Sequence, residues 1–234
     1  MFPIRDNIPS KSFPFVNWII IAVNLMVFLF ELSIPDDLLE SFFYIFGLVP
    51  ARFSHQDWAD IYGLRADNYW PFFTNMFLHG GWSHFIGNMW TLFIFGDNVE
   101  DRMGHRNYLF FYLLCGLVAS LTHYFVYPHS TVPALGASGA ISGVMAAYMV
   151  LFPRARILML FPILIIPFFF EISAFIYLAF WFFMQLFNGT FSLLSASEGT
   201  GIAFWAHIGG FAAGIFFYQY FGKRKVARER SLFW

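Results

Sequence analysis

The chain has 234 residues, of which 59% are hydrophobic, 23% aromatic and only 12% charged, with a formal net charge of −1. Soluble domains carry roughly 45–50% apolar and about 25% charged residues, so this chain has too little charge to cover a water-facing surface and too much apolar mass for disorder. The single cysteine, Cys115, excludes an internal disulfide framework and thiolate zinc sites, and the charge balance offers no basic excess for nucleic acid.

What remains is a polytopic membrane protein. A membrane span needs about 20 apolar residues, with a range of roughly 17–25. The first candidate is 15–32, interrupted by Asn17 and Asn24. It lacks a small-x-small cleavage pattern and reads as a retained helix. The next are 82–95, 108–127 and 138–152, the last bounded by Pro153. The stretch 157–187 is too long for one span, and Pro162, Pro167 and Glu171 divide it. The fifth span is therefore placed at 172–187, with 157–170 as a re-entrant or interfacial segment. The sixth is 202–221, followed by a basic tail, 222–234.

Charge selects six spans over seven. With six, all of the 13 Lys and Arg except Arg52 and Arg65 fall on one side, whereas a seventh would carry the C-terminal cations across. The positive-inside rule then places both termini in the cytoplasm. Residues 33–81 form the one long outer loop, where Trp58 and Trp70 suit an interface. No internal repeat supports an inverted-repeat transporter. The chain is read as a single membrane domain, 1–234.

Polar groups at membrane depth are costly and point to function. Three clusters carry them: His79 to Asn88 opening the second span, Gly136 to Gly143 opening the fourth, and Trp205 to Gly210, followed by Gly214, in the sixth. At a rise of ~1.5 Å per residue, counted from the inner cations, Ser138 and His207 both lie ~24 Å up, Asn88 ~21 Å and His84 ~27 Å. Three separate stretches of chain thus meet in one layer. The fourth span is too short to cross, so 128–137 must enter as irregular backbone, which is tolerated only when buried in protein or lining a water-filled cavity.

The chemistry of that layer is nucleophilic. Ser138 starts a helix, where unpaired N–H groups and the dipole favour negative charge. His207 is the natural base. Gly139-x-x-x-Gly143 and Gly210-x-x-x-Gly214 permit close helix approach that would bring the two together. His84 and Asn88, one turn apart, could donate to an oxyanion. No carboxylate is expected at this depth on the spans, so a Ser–His dyad is the economical reading, with His207 oriented by packing or by another hydrogen bond. Ser138 could instead be a plain helix cap. Ser142 is a rival nucleophile read as a packing or helix-bonding residue. A zinc pair of His79 and His84 has the wrong spacing, and His79 is read as holding the outer loop. Asn17 and Asn24 are read as interhelical bonding groups, and His55, His105, His123 and His129 as solvated. Asn188-Gly189-Thr190 is a bare glycosylation tripeptide.

The motifs GASG at 136–139, HFIGN at 84–88 and AHIGGFAAG at 206–214 resemble those of rhomboid intramembrane serine proteases, in order and over nearly the whole chain. The resemblance implies an all-α, six-transmembrane-helix bundle with a water-accessible cavity open to the extracytoplasmic side. It implies Ser138 as nucleophile, His207 as general base and acid, and His84, Asn88 and the backbone of Gly136 and Ser138 as oxyanion stabilisers. No cofactor and no metal are implied. The substrates would be transmembrane proteins, the surroundings membrane lipids, and the compartment the plasma or inner membrane. A cap over the cavity at 188–203 and a lateral gate at the fifth span (Phe175, Tyr177, Phe180, Trp181) are also implied. So is a structural carboxylate, here Glu100. The chain departs from the family pattern at Trp70-Pro71, where many members have Trp-Arg, and at Ser142, where some have a Tyr stacked on the catalytic His. The alternative is a catalytically inactive relative that binds membrane helices.

Overall fold

The computed structural model describes residues 2–163, 166–194 and 203–222. Ten α-helices are present among them: α1 (Phe15–Glu31), α2 (Asp36–Phe46), α3 (Ala51–Ser54), α4 (Gln56–Ile61), α5 (Pro71–Thr74), α6 (Trp82–Met103), α7 (His105–Val126), α8 (Ser138–Leu151), α9 (Ala174–Leu194) and α10 (Phe204–Phe221). Three strands, β1 (Phe2–Asp6), β2 (Arg156–Ile163) and β3 (Ile166–Ser173), complete the chain. By length and composition, α7 and α9 are apolar and long enough to cross a membrane, while α1 and α8 are shorter apolar helices.

The bundle is organised around α8. Every residue from Gly139 to Tyr148 is buried, as expected of a helix that is apolar all round and has no polar face to turn outward. It packs against α6, α7 and α10. Small residues let the neighbours come close. A Cβ added to Gly210 would fall on the carbonyl of Gly139, and one on Gly214 on the backbone of Gly143.

Glu100 fixes the opposite end of the bundle from Ser138. Its carboxylate accepts from the backbone N–H of Val16 (2.9 Å) and Asn17 (2.7 Å), the unpaired donors of the first turn of α1, and from His105. Asn17 bonds across helices as expected, donating to the Leu92 carbonyl and accepting from Tyr108. Asn24 does not: its amide donates only to Ile20 of its own helix.

Several boundaries differ from the sequence reading. The helix α6 runs on past residue 95 to Met103, because nothing between Asp97 and Arg102 breaks a helix and the chain stops only at Gly104, with φ +79°. The helix α9 starts at Ala174 and runs on past 187 to Leu194. Asn188 donates to Met184 inside it, and Gly189 gives room for Trp205, whose indole donates to the Gly189 carbonyl. The segment 157–170 is a β-hairpin, so the fold is not purely helical: β2 pairs with β3 and with β1 in an antiparallel sheet ordered β1-β2-β3. Alternating residues of β2 explain this, since Ile157 and Met159 are buried and their neighbours less so. The sixth helix begins at Phe204; residue 202 and the tail 223–234 lie outside the described residues, as does 195–202 of the expected cap.

The outer loop is folded, with four short helices. Arg52, buried, donates to the carbonyls of Arg65 (2.8 Å) and Ile45 (3.0 Å) and ties its turns together. Trp70 is exposed and Pro71 opens α5, so the Trp-Pro pair serves a helix start. The irregular stretch 128–137 is held by protein, not left open. Leu48 and Ala134 exchange backbone bonds, and Gly136 donates to the Asn75 carbonyl.

Candidate active site

The four expected side chains line one cavity of about 580 Å³: His84 and Asn88 from α6, Ser138 from α8, and His207 from α10. Its remaining wall includes Gly87 and Thr91 of α6 and Tyr177 and Trp181 of α9. The cavity therefore lies in the gap between those two helices.

The N-cap position of α8 is held by Ala137 and Ser138 is the first helical residue, so Ser138 does not stand in the capping position. Its Oγ lies 2.7 Å from His207 Nε2. The other ring nitrogen of His207, Nδ1, is 2.8 Å from Gln185 Oε1 on α9. The Gln185 amide N–H donates to the Trp181 carbonyl at 3.3 Å, which directs its oxygen to the ring. An amide oxygen only accepts, so Nδ1 carries the proton and Nε2 presents a lone pair to Ser138. Trp181, one turn earlier on the same face, lies against the imidazole with ring centroids 5.7 Å apart. Gln185 is absent from the sequence reading. The available signal was an amide following a run of ten apolar side chains, Phe175–Met184.

The first bond of α8 runs from the Ile141 N–H to the Ala137 carbonyl, leaving the earlier N–H groups unpaired within the helix beside the Ser138 hydroxyl. Gly136 precedes them with φ +124°, a conformation that favours glycine. A Cβ there would lie 2.6 Å from the His84 ring and 3.6 Å from Asn88 Nδ2. Asn88 Nδ2 is buried and without a hydrogen-bond partner. A buried free donor in the wall of the cavity that Ser138 also lines suits an oxyanion site.

Ser142 is placed otherwise. It is fully buried and its hydroxyl reaches the carbonyls of Gly139 (2.6 Å) and His207 (2.9 Å), joining α8 to α10. His79 N–H donates to Glu31, a buried carboxylate at the end of α1 that the sequence reading passed over. His123 is buried against Tyr127 and His105 pairs with Glu100, so neither is simply solvated, whereas His55 and His129 meet each other at the surface. No cluster of metal-binding side chains is found among the described residues.

This bundle, with its short buried helix headed by serine, defines a membrane-protein class that comparison with known proteins identifies: a family profile described as the Rhomboid domain matches residues 66–224. The chain belongs to the rhomboid family. It is 31% identical over 143 residues to rhomboid-like protein 11, chloroplastic, of Arabidopsis thaliana, covering 61% of this chain and 44% of that one. It is 32% identical over 121 residues to YdcA of Bacillus subtilis (strain 168), whose name proposes a rhomboid protease, covering 49% and 60%. It is 30% identical over 93 residues to the human presenilin-associated rhomboid-like protein, mitochondrial, covering 39% and 24%. The matched stretches thus span about a quarter to three-fifths of these relatives' lengths.

Proposed function

We propose that the chain is an intramembrane serine endopeptidase that hydrolyses peptide bonds in or near transmembrane segments. The observation that carries this reading is the 2.7 Å approach of Ser138 Oγ to His207 Nε2 at the head of α8. The Ser138 hydroxyl attacks the scissile carbonyl while Nε2 takes its proton. Negative charge builds on the carbonyl oxygen. It is met by the N–H groups around Ser138, by Asn88 Nδ2 and by His84. The imidazolium then gives its proton to the leaving amine, and water, activated by the same ring, frees the acyl group from Ser138. Gln185 holds the tautomer throughout, in the place a carboxylate takes in a triad.

A helix in the substrate hides its carbonyls in hydrogen bonds, so a segment that unwinds at its upper end is the fitting substrate. The compartment in this reading is a plasma or inner membrane, with both termini cytoplasmic and six crossings by α1, α6, α7, α8, α9 and α10.

The test is cleavage of a single-span test substrate in liposomes by wild type and by Ser138→Ala, His207→Ala and Ser142→Ala. Loss in the first two, with Ser142→Ala active, supports the dyad. An active Ser138→Ala overturns it. An inert wild type across several substrates favours a family member that binds membrane helices without cutting.

A further inference from the structure

The β-sheet is the part of the molecule that the site does not explain. Its charges are sorted along the strands. In register, Arg5 lies opposite Leu158 and Leu158 opposite Glu171, with Arg156 opposite Ser173. Arg156 and Glu171 approach to 3.8 Å across this base. Beyond that level β2 and β3 carry no charged side chain, only Met159, Leu160, Phe161 and Pro162 beside Ile166, Pro167, Phe168, Phe169 and Phe170. Met159 is buried, but toward the strand ends the residues are open rather than packed: Ile166 is 67% exposed, Phe168 52% and Phe169 53%. Exposed aromatics on both faces of a strand have no place in water.

The sheet also stands at a height that can be read. Trp90 of α6 donates to the Pro3 carbonyl at 2.6 Å, and Asn98 to the Ile8 carbonyl at 3.2 Å. Thus β1 descends beside α6, and Trp90 is ~18 Å above Arg102 at 1.5 Å per residue. Because Phe2 pairs with Leu160, β2 rises to the same level, and its end stands ~10 Å further along at ~3.3 Å per residue. On the far side β3 leads directly into α9, with Ala174 N–H bonded to the Ala155 carbonyl. The order β1-β2-β3 therefore bridges from α6 to α9, the two helices that flank the cavity. Unpaired strand edges are costly in hydrocarbon. Here Pro3, Pro162 and Pro167 remove three donors, and Pro162 stands opposite Pro167.

We propose that this sheet is inserted into the hydrocarbon layer as a wall across the gap between α6 and α9, its outer end level with Asn88 and Ser138 and covered by lipid acyl chains, and its charged base turned toward the inner water interface. Its insertion does not depend on catalysis. The further consequence, that a transmembrane segment reaching Ser138 sideways passes beside Phe161 and Phe168, rests on the proteolytic reading.

Single cysteines at Phe161, Phe168, Arg156 and Glu171, all on exposed side chains, carry an environment-sensitive fluorophore in phosphatidylcholine liposomes. Wild type, whose only cysteine is buried, is the blank. Mid-chain nitroxide lipids are expected to quench positions 161 and 168, and aqueous iodide positions 156 and 171. Iodide quenching at 161 and 168 equal to that at 156 and 171 overturns the proposal. Deuterium uptake of unlabelled protein in lipid nanodiscs gives a second reading without any substitution. Residues 159–163 and 166–170 are expected to stay protected, and uptake there as fast as in the loop at 62–70 overturns insertion. Both readings are taken without substrate, so an inert enzyme leaves them standing.

Discussion

His207 Nδ1 and Gln185 Oε1 lie 2.8 Å apart, on the ring edge opposite Ser138. A neutral amide thereby supplies what a triad takes from a carboxylate: a fixed tautomer and ring plane, without a buried charge. Replacing Gln185 by Leu is expected to lower kcat about 3–10-fold, since a net hydrogen bond is worth ~0.5–1.5 kcal/mol and each ~1.4 kcal/mol is tenfold in rate. KM should not move, because Gln185 is positioned to hold His207, not substrate. Steady-state cleavage of a peptide substrate separates the two constants.

Asn88 offers a different signature. Its Nδ2 is buried without a partner, so it adds nothing to the stability of the resting fold. Asn88→Ala is expected to cut kcat about 10²–10³-fold, the usual effect of losing one oxyanion donor. The melting temperature should stay level or rise. Parallel activity and thermal unfolding measurements check both halves, and a matching fall in stability would assign Asn88 to packing instead.

Gly210→Ala places a methyl group on the Gly139 carbonyl and against the Ser142 hydroxyl. The helices α8 and α10 must separate, and overpacking of this kind costs about 1–3 kcal/mol. Both the melting temperature and the reaction of Ser138 with a fluorophosphonate probe are expected to fall. Gly87→Ala is the control for the melting temperature alone, because a methyl there projects into the cavity and meets no packed neighbour.

Glu100→Ala leaves the Val16 and Asn17 N–H groups buried and unpaired. A loss of about 1–3 kcal/mol in stability is expected, the scale of a removed helix cap or an unsatisfied buried donor. Thermal unfolding in detergent reads it. The rate of the surviving folded fraction should be unchanged, since Glu100 stands at the other end of the bundle.

The sequence disclosed the site through depth and type. Ser138, His207, His84 and Asn88 come from three distant stretches, yet counting residues from the inner cations puts them in one layer, and they share one cavity. The glycines that permit the contact were equally visible. What stayed hidden depended on contacts rather than on periodicity. Gln185 looked like one polar residue in an apolar helix, and only the packing of α9 on α10 gives its oxygen a partner. Glu31 was passed over within the first span, although its carboxylate receives the His79 N–H. The hairpin was hidden for another reason. Its prolines and phenylalanines mark a break in a helix, but strand pairing requires β1, which is about 150 residues away in the chain and carries no signal of its own.

The glycines of α8 and α10 carry a consequence for how the site can vary. Gly139 faces Gly210, and Gly143 faces Gly214, backbone against backbone. The interval between nucleophile and base is thus set by the thickness of two bare helices, the shortest spacing two helices can take. Substitution at Gly210 or Gly214 can only lengthen it, whereas a methyl on Gly139 or Gly143 meets Ala119 or Cys115 of α7 first. The 2.7 Å between Ser138 and His207 sits at the end of its range, so inherited change at Gly210 and Gly214 runs in one direction, toward a chain in which the two side chains part.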